Sequence, residues 1–175
     1  MPKLTTLTAL FAAVFLLTAC SEPAVTHNSL QVTPEPVASQ QQSEPLLTVY
    51  KTSSCGCCKA WISHIEQNGI TAIAKDYDDL GFIKNRYGIQ PNHTSCHTAV
   101  SENGYVFEGH IPAKYIHMFL AEPVANAIGL TVPAMPLGSP GMEMGDRFMP
   151  YEILVLFKDG TSKVYAKIDS YKMQF

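Results

Sequence analysis

The pattern of apolar and polar positions changes at residue 46, and from there short strand-like and helix-like segments alternate. Residues 46–51 read as a strand. Residues 58–68 carry Trp61, Ile62 and Ile65 on one face at helical spacing, and Gly69 follows as a C-terminal stop. Residues 71–75 predict a second strand and residues 79–87 a second helix, ended by Gly88. A β-α-β-α order favours a right-handed parallel crossover.

Beyond the crossover, residues 98–101 and 105–108 flank Asn103-Gly104. This is a hairpin signal, because both central positions of a type I′ turn need positive φ. Pro112 opens a predicted helix reaching about residue 127 through Tyr115, Ile116, Phe119 and Leu120, kinked or divided at Pro123. Residues 131–150 read as a long loop rich in proline and methionine, and 153–157 with 162–168 predict a last hairpin. The resulting fold class is α/β, with a thioredoxin-like βαβαββα core and an added C-terminal β-hairpin. In that plan the loop from the first strand into the first helix is the reactive corner. Here it carries Cys55-Gly56-Cys57-Cys58.

With 175 residues, 46% hydrophobic and 15% charged, the chain suffices for one core and one domain. A net charge of -3 and the lack of a basic run remove nucleic acid from the partner classes. Ahead of the folded part, Lys3 gives a short positive region, residues 4–17 are apolar over a signal-peptide length, and Leu17-Thr18-Ala19-Cys20 follows. That tetrapeptide resembles the bacterial lipobox. It implies cleavage before Cys20, lipidation of its thiol and acylation of the new amine, which together supply the several acyl chains that stable anchoring needs. A plain secretory signal or an anchor helix is the alternative; the small residues and Cys20 at the end of the apolar run favour a lipoprotein. Ser21 after the cysteine fits outer-membrane sorting, so the expected location is periplasmic, lipid-anchored in a Gram-negative outer membrane. Residues 21–45, rich in Ser, Pro and Gln without periodicity, read as a tether. The expected organisation is a signal peptide over 1–19, the lipidated cysteine and tether over 20–45, and one domain over 46–170.

Setting Cys20 aside leaves Cys55, Cys57, Cys58 and Cys96, an even number that makes two disulfides the default in an exported protein. Adjacent Cys57 and Cys58 speak against that default, because bridging neighbours strains the backbone and one of the trio would have to reach Cys96. Cys55 and Cys58 form a C-x-x-C at a helix N-terminus, where the dipole and free N–H groups stabilise thiolate. This favours disulfide exchange, with Cys55 as nucleophile and Cys58 as resolving thiol. It equally favours a soft metal, whose ligand is the same thiolate. Two features tilt towards metal: Cys57 is a competitor that an exchanging pair would avoid, and Cys96 precedes the third strand, close to the reactive corner. Four thiolates could hold tetrahedral zinc. Neighbouring cysteines more readily bridge different ions of a cluster, which suits Cu(I).

Met135, Met142, Met144 and Met149 crowd the long loop. Thioethers are neutral soft donors, poor for zinc and good for Cu(I), although each one serves as well for packing. His110 is a ligand or supporting candidate, with a structural role equally open. His97 is expected by strand alternation to point away from Cys96. His64, His93 and His117 are expected at the surface, and Trp61 in the core.

CGCC at 55–58, SCHTAV at 95–100, YVFEGHIPA at 105–113 and VPAMPLGSPGME at 132–143 together resemble the CopG-like copper-resistance family, over roughly residues 47–168. The resemblance implies export, a thioredoxin-like fold and periplasmic copper handling. It implies metal ligands at Cys55, Cys57, Cys58 and Cys96, with Met135 and Met142 as further donors to Cu(I), held singly or as a multinuclear thiolate cluster. Copper ions and periplasmic copper donors or acceptors are the implied partners, with the membrane reached through the lipid anchor. Storage, transport and Cu(I)/Cu(II) conversion stay open, and a thiol-disulfide oxidoreductase on Cys55 and Cys58 is the alternative. One departure stands at Ala134, where many members carry glycine; it is expected to be minor.

Overall fold

The computed structural model describes residues 44–175; the expected signal peptide, Cys20 and the tether up to residue 43 lie outside the described residues. The elements are β1 (Leu46–Lys51), α1 (Gly56–Gln67), β2 (Thr71–Asp76), α2 (Gly81–Arg86), β3 (Thr98–Ser101), β4 (Val106–Glu108), α3 (Ala113–Ala121), β5 (Ala127–Thr131), β6 (Tyr151–Phe157) and β7 (Ser162–Ile168). Short 3-10 turns cover Pro91–His93 and Tyr171–Gln174. One mixed sheet runs in the order β2-β1-β3-β4-β5-β6-β7. β1 is parallel to β2 and antiparallel to β3, which is antiparallel to β4. The expected β-α-β-α-β-β-α order is therefore present, in a mixed α/β fold. Among the described residues no helix is long and apolar enough to cross a membrane.

Alternation along the strands sorts side chains between the two faces. Leu47 and Val49 of β1, Trp61 and Ile65 of α1, Phe107 of β4, and Ile116 and Phe119 of α3 bury themselves in one large cluster. Phe107 and Phe119 meet edge to face at 5.9 Å, a geometry that suits the ring quadrupoles. Val106 and Leu156 join Ile89 in a smaller cluster, with Tyr87 and Ile128 packed against it. Successive β4 residues, Val106 and Phe107, thus serve different clusters.

The differences from the sequence reading fall where local signals were ambiguous. α1 begins at Gly56, two positions before residue 58, because Cys55 can act as the N-cap: its Sγ accepts the Cys58 N–H at 3.3 Å. α3 stops at Ala121, and Pro123 lies beyond it rather than kinking it. The following residues form β5, which pairs parallel to β4 and antiparallel to β6. β5 was not expected, since its five residues include Gly129 and a bulge. A side chain at Gly129 would run into the Val106 backbone, so glycine here permits close pairing rather than breaking the strand. β5 also joins the last hairpin to the sheet, so that hairpin continues the core.

Candidate metal centre

The trio of cysteines enters the site because β1 ends at Lys51 and a tight turn leads into α1. Cys55 caps the helix, while Cys57 and Cys58 occupy its first turn. Cys96 arrives from the other direction. β3 is antiparallel to β1 with Thr98 opposite Tyr50, so the segment just before β3 lies beside the exit of β1. Strand pairing thus overcomes the sequence distance. Cys96 Sγ stands 3.5 Å from Cys58 Sγ and 3.9 Å from Cys57 Sγ, and Cys57 Sγ is 3.5 Å from Cys55 Sγ. Cys55 and Cys58 are joined as a disulfide across a Cα separation of 5.3 Å, and Cys57 and Cys96 are free, half-buried thiols.

A second group of donors shares Cys96. His110 Nε2 lies 3.0 Å from Cys96 Sγ, while its Nδ1 faces the Pro140 carbonyl at 2.8 Å. A carbonyl only accepts, so Nδ1 carries the proton and Nε2 keeps its lone pair towards the sulfur. His97 corrects the expectation from alternation. Cys96 and His97 precede β3, where no strand period applies, and His97 Nδ1 sits 3.3 Å from Cys96 Sγ. Its ring packs 4.3 Å from Trp61 and 5.1 Å from His110. Among the described residues, His97 Nε2 is the one buried side-chain nitrogen or oxygen with no hydrogen-bond partner.

Burial sets the electrostatics. It holds His97 well below the usual imidazole range, reinforced by His110 and Lys84, and it lowers His110 against the opposing pull of Pro140 and Glu143. Both imidazoles therefore favour the neutral form that binds metals. Burial, with the charge of Cys57 next in importance, pushes the Cys96 thiol up to about 12. A cation bound there must displace that proton, so metal affinity rises with pH.

Beneath Cys96 lies a polar network that the sequence reading missed. Glu108, fully buried, accepts from the Ser95 N–H at 2.6 Å, from Thr98 Oγ1 at 2.6 Å and from the Lys84 ammonium. A charged residue inside the apolar run Tyr105-Val106-Phe107-Glu108 was the available signal. The methionine loop closes the other side. Gly141 packs on the start of α1, where a Cβ would lie 2.7 Å from both the Cys57 carbonyl oxygen and the Trp61 nitrogen. Half-buried Met142 follows it. Exposed Met135 follows Ala134, whose N–H donates to Thr94 at 3.1 Å and whose carbonyl accepts from Ser95 Oγ. The chain next to each methionine thus packs beside the site, Gly141 against α1 at Cys57 and Ala134 against Thr94 and Ser95.

Four sulfur donors lie within 4.8 Å of one another, as do Cys96, His97 and His110. Soft sulfur and neutral imidazole suit a thiophilic ion better than a hard one. Two solved structures resemble this chain. "Copper resistance protein copG- Form 2" shares 39% identity with a TM-score of 0.67, covering 71% of this chain and 98% of that one. "Copper resistance protein copG- Form 1" shares 40% identity with the same TM-score and coverage. The chain belongs to the CopG copper-resistance family. A family profile described as "Protein of unknown function, DUF411" matches residues 93–142, the stretch holding Cys96, His110, Met135 and Met142. No curated protein matches the chain.

Among the described residues of this CopG-family domain, His64, His93 and His117 serve the framework. His93 is buried rather than at the surface. His64 Nε2 accepts the Ala113 N–H at 3.1 Å, capping the first turn of α3, and His117 Nε2 meets the Asn68 carbonyl at 2.8 Å. Trp61 is fully buried, as expected, and its indole N–H donates to the Ile111 carbonyl at 2.8 Å.

Proposed function

We propose that this chain is an envelope copper-binding protein serving copper resistance, anchored by lipid at Cys20 and holding Cu(I) as cargo. In its reduced form Cys55, Cys57, Cys58 and Cys96 provide thiolates, His110 adds an imidazole, and Met135 and Met142 supply weaker thioether donors. The observation that carries the reading is the arrival of Cys96 Sγ at 3.5 Å from Cys58, although 38 positions separate them, in a chain whose relatives are copper-resistance structures. Thiolates so close together favour the low-coordinate, bridged arrangements of Cu(I) and its clusters. Conversion between Cu(I) and Cu(II) belongs to the same proposal.

A second reading, thiol-disulfide exchange, draws on the Cys55–Cys58 disulfide at the α1 N-terminus. Cys57→Ser separates the two. Exchange needs only Cys55 and Cys58, so a dedicated oxidoreductase keeps its turnover, whereas a thiolate site loses a bridging ligand. We expect Cys57→Ser to weaken Cu(I) binding markedly, with Met135→Leu and Met142→Leu acting less. Cu(I) affinity and disulfide-reductase turnover are to be measured on the same samples. Intact copper binding in Cys57→Ser, with reductase activity lost only in Cys55→Ser and Cys58→Ser, would replace the copper reading by the oxidoreductase.

A further inference from the structure

We infer that Gln174 is a positioning residue: its side-chain amide clamps the turn of the methionine loop whose Pro140 carbonyl orients His110. The inference rests on the copper reading above and concerns a residue that gives the metal no donor. It starts from a buried amide in an exposed segment. Gln174 is 1% exposed, whereas Tyr171, Met173 and Phe175 beside it are exposed. An amide leaves water at little cost only where its groups find partners, and here both do. Oε1 accepts from the Tyr151 hydroxyl at 2.6 Å, and Nε2 donates to the Gly138 carbonyl at 3.0 Å and to the Tyr171 carbonyl at 3.3 Å. α3 seats the Tyr171–Gln174 turn from another side: Tyr115 Oη donates to the Met173 carbonyl at 3.0 Å, and Lys114 Nζ to the main-chain oxygen of Phe175 at 2.9 Å.

From Gly138 the contacts lead on to the site. The Gly138 N–H donates to the Met142 carbonyl at 3.0 Å, and the Met142 N–H to the Ser139 carbonyl at 2.8 Å, so residues 138–142 form one closed turn. Inside that turn, the Pro140 carbonyl accepts from His110 Nδ1 at 2.8 Å, which leaves the Nε2 lone pair 3.0 Å from Cys96 Sγ. Gly141, next in the turn, packs on the start of α1. Gln174 thus acts on the centre through the turn, by fixing the acceptor that selects the His110 tautomer and by keeping the turn seated over α1. Partners of this kind orient a metal ligand without touching the metal. When the amide is lost, the turn lifts more often, His110 Nδ1 loses its acceptor and the cysteines become more accessible. Release of Cu(I) through that open form rises with its population, on the order of tenfold for the loss of a hydrogen bond such as the one to Gly138.

The test compares Gln174→Met, which keeps the length of the side chain but removes its hydrogen bonds, with Leu156→Ala, which weakens the smaller apolar cluster. Urea unfolding gives the stability of each. Imidazole nitrogen NMR of the reduced, metal-free protein, at a pH where the ring is neutral, reads the His110 tautomer. Amide exchange at Gly138 and Met142 reads the opening of the turn, and transfer of Cu(I) to a chelator reads release. Gln174→Met should show mixed His110 tautomers, with amide exchange and Cu(I) transfer both on the order of tenfold faster and Cu(I) stoichiometry unchanged. Leu156→Ala should lose stability yet keep the wild-type tautomer and transfer rate. Tyr151→Phe, which removes only the hydroxyl holding Oε1, should shift exchange and transfer in the same direction by less, and it decides the matter if Gln174→Met does not fold. Wild-type tautomer and exchange in folded Gln174→Met, or in Tyr151→Phe where it must decide, overturn the inference. So does Leu156→Ala reproducing the changes, because lost stability alone would then explain them. Failure of wild type to bind Cu(I) removes the copper reading alone, since the tautomer and amide exchange of the metal-free protein still decide the role of Gln174.

Discussion

At the scale of single residues, Ala134 shows how a substitution that looks minor in sequence acquires a physical meaning. Its φ of 59° lies in the left-handed region, where a Cβ costs roughly 1–2 kcal/mol. Glycine avoids that cost but enlarges the entropy of the unfolded chain by up to about 1 kcal/mol. The net expectation for Ala134→Gly is a gain of about 0.5–1 kcal/mol, read from the urea midpoint; a loss of stability would contradict the strain. Cysteine identity and spacing were legible at this scale, since thiolate chemistry is local. The setting of His97 was not. Alternation holds only inside a strand, and Cys96 and His97 lie ahead of β3, which begins at Thr98 as the hairpin pattern predicts.

At the scale of elements, the site is a meeting of the α1 N-terminus, the approach to β3 and the methionine loop. The first was readable from the C-x-x-C before a helical pattern, and the second from the hairpin that placed β3. β5 was hidden because its glycine reads as a break unless its tight pairing with β4 is known. The Glu108 network binds α2 to these elements through Lys84, with the carboxylate fully buried and the ammonium 12% exposed. Breaking one partner strands the other, which typically costs about 3–5 kcal/mol, while replacing both partners by neutral groups costs less. Glu108→Ala should therefore destabilise the domain more than Lys84→Met/Glu108→Gln in urea unfolding. Equal or reversed effects would show that the pair is not held as a buried charge pair.

At the scale of the whole molecule, the account combines a copper site with a membrane anchor, and the two are separable. Cys20→Ser should abolish lipid labelling and move the protein from the membrane fraction to the soluble periplasm, leaving Cu(I) binding by the domain unchanged. Wild-type protein found unlipidated and soluble would remove the anchor without touching the site. The central claim is that distant Cys96 completes one copper site with the α1 cysteines. Its most direct test is a Cu(I) competition titration of reduced wild-type and Cys96→Ser protein against a chromogenic chelator, with circular dichroism confirming the fold of both. The account predicts that folded Cys96→Ser binds fewer Cu(I) ions, or binds them more weakly; unchanged stoichiometry and affinity would contradict it.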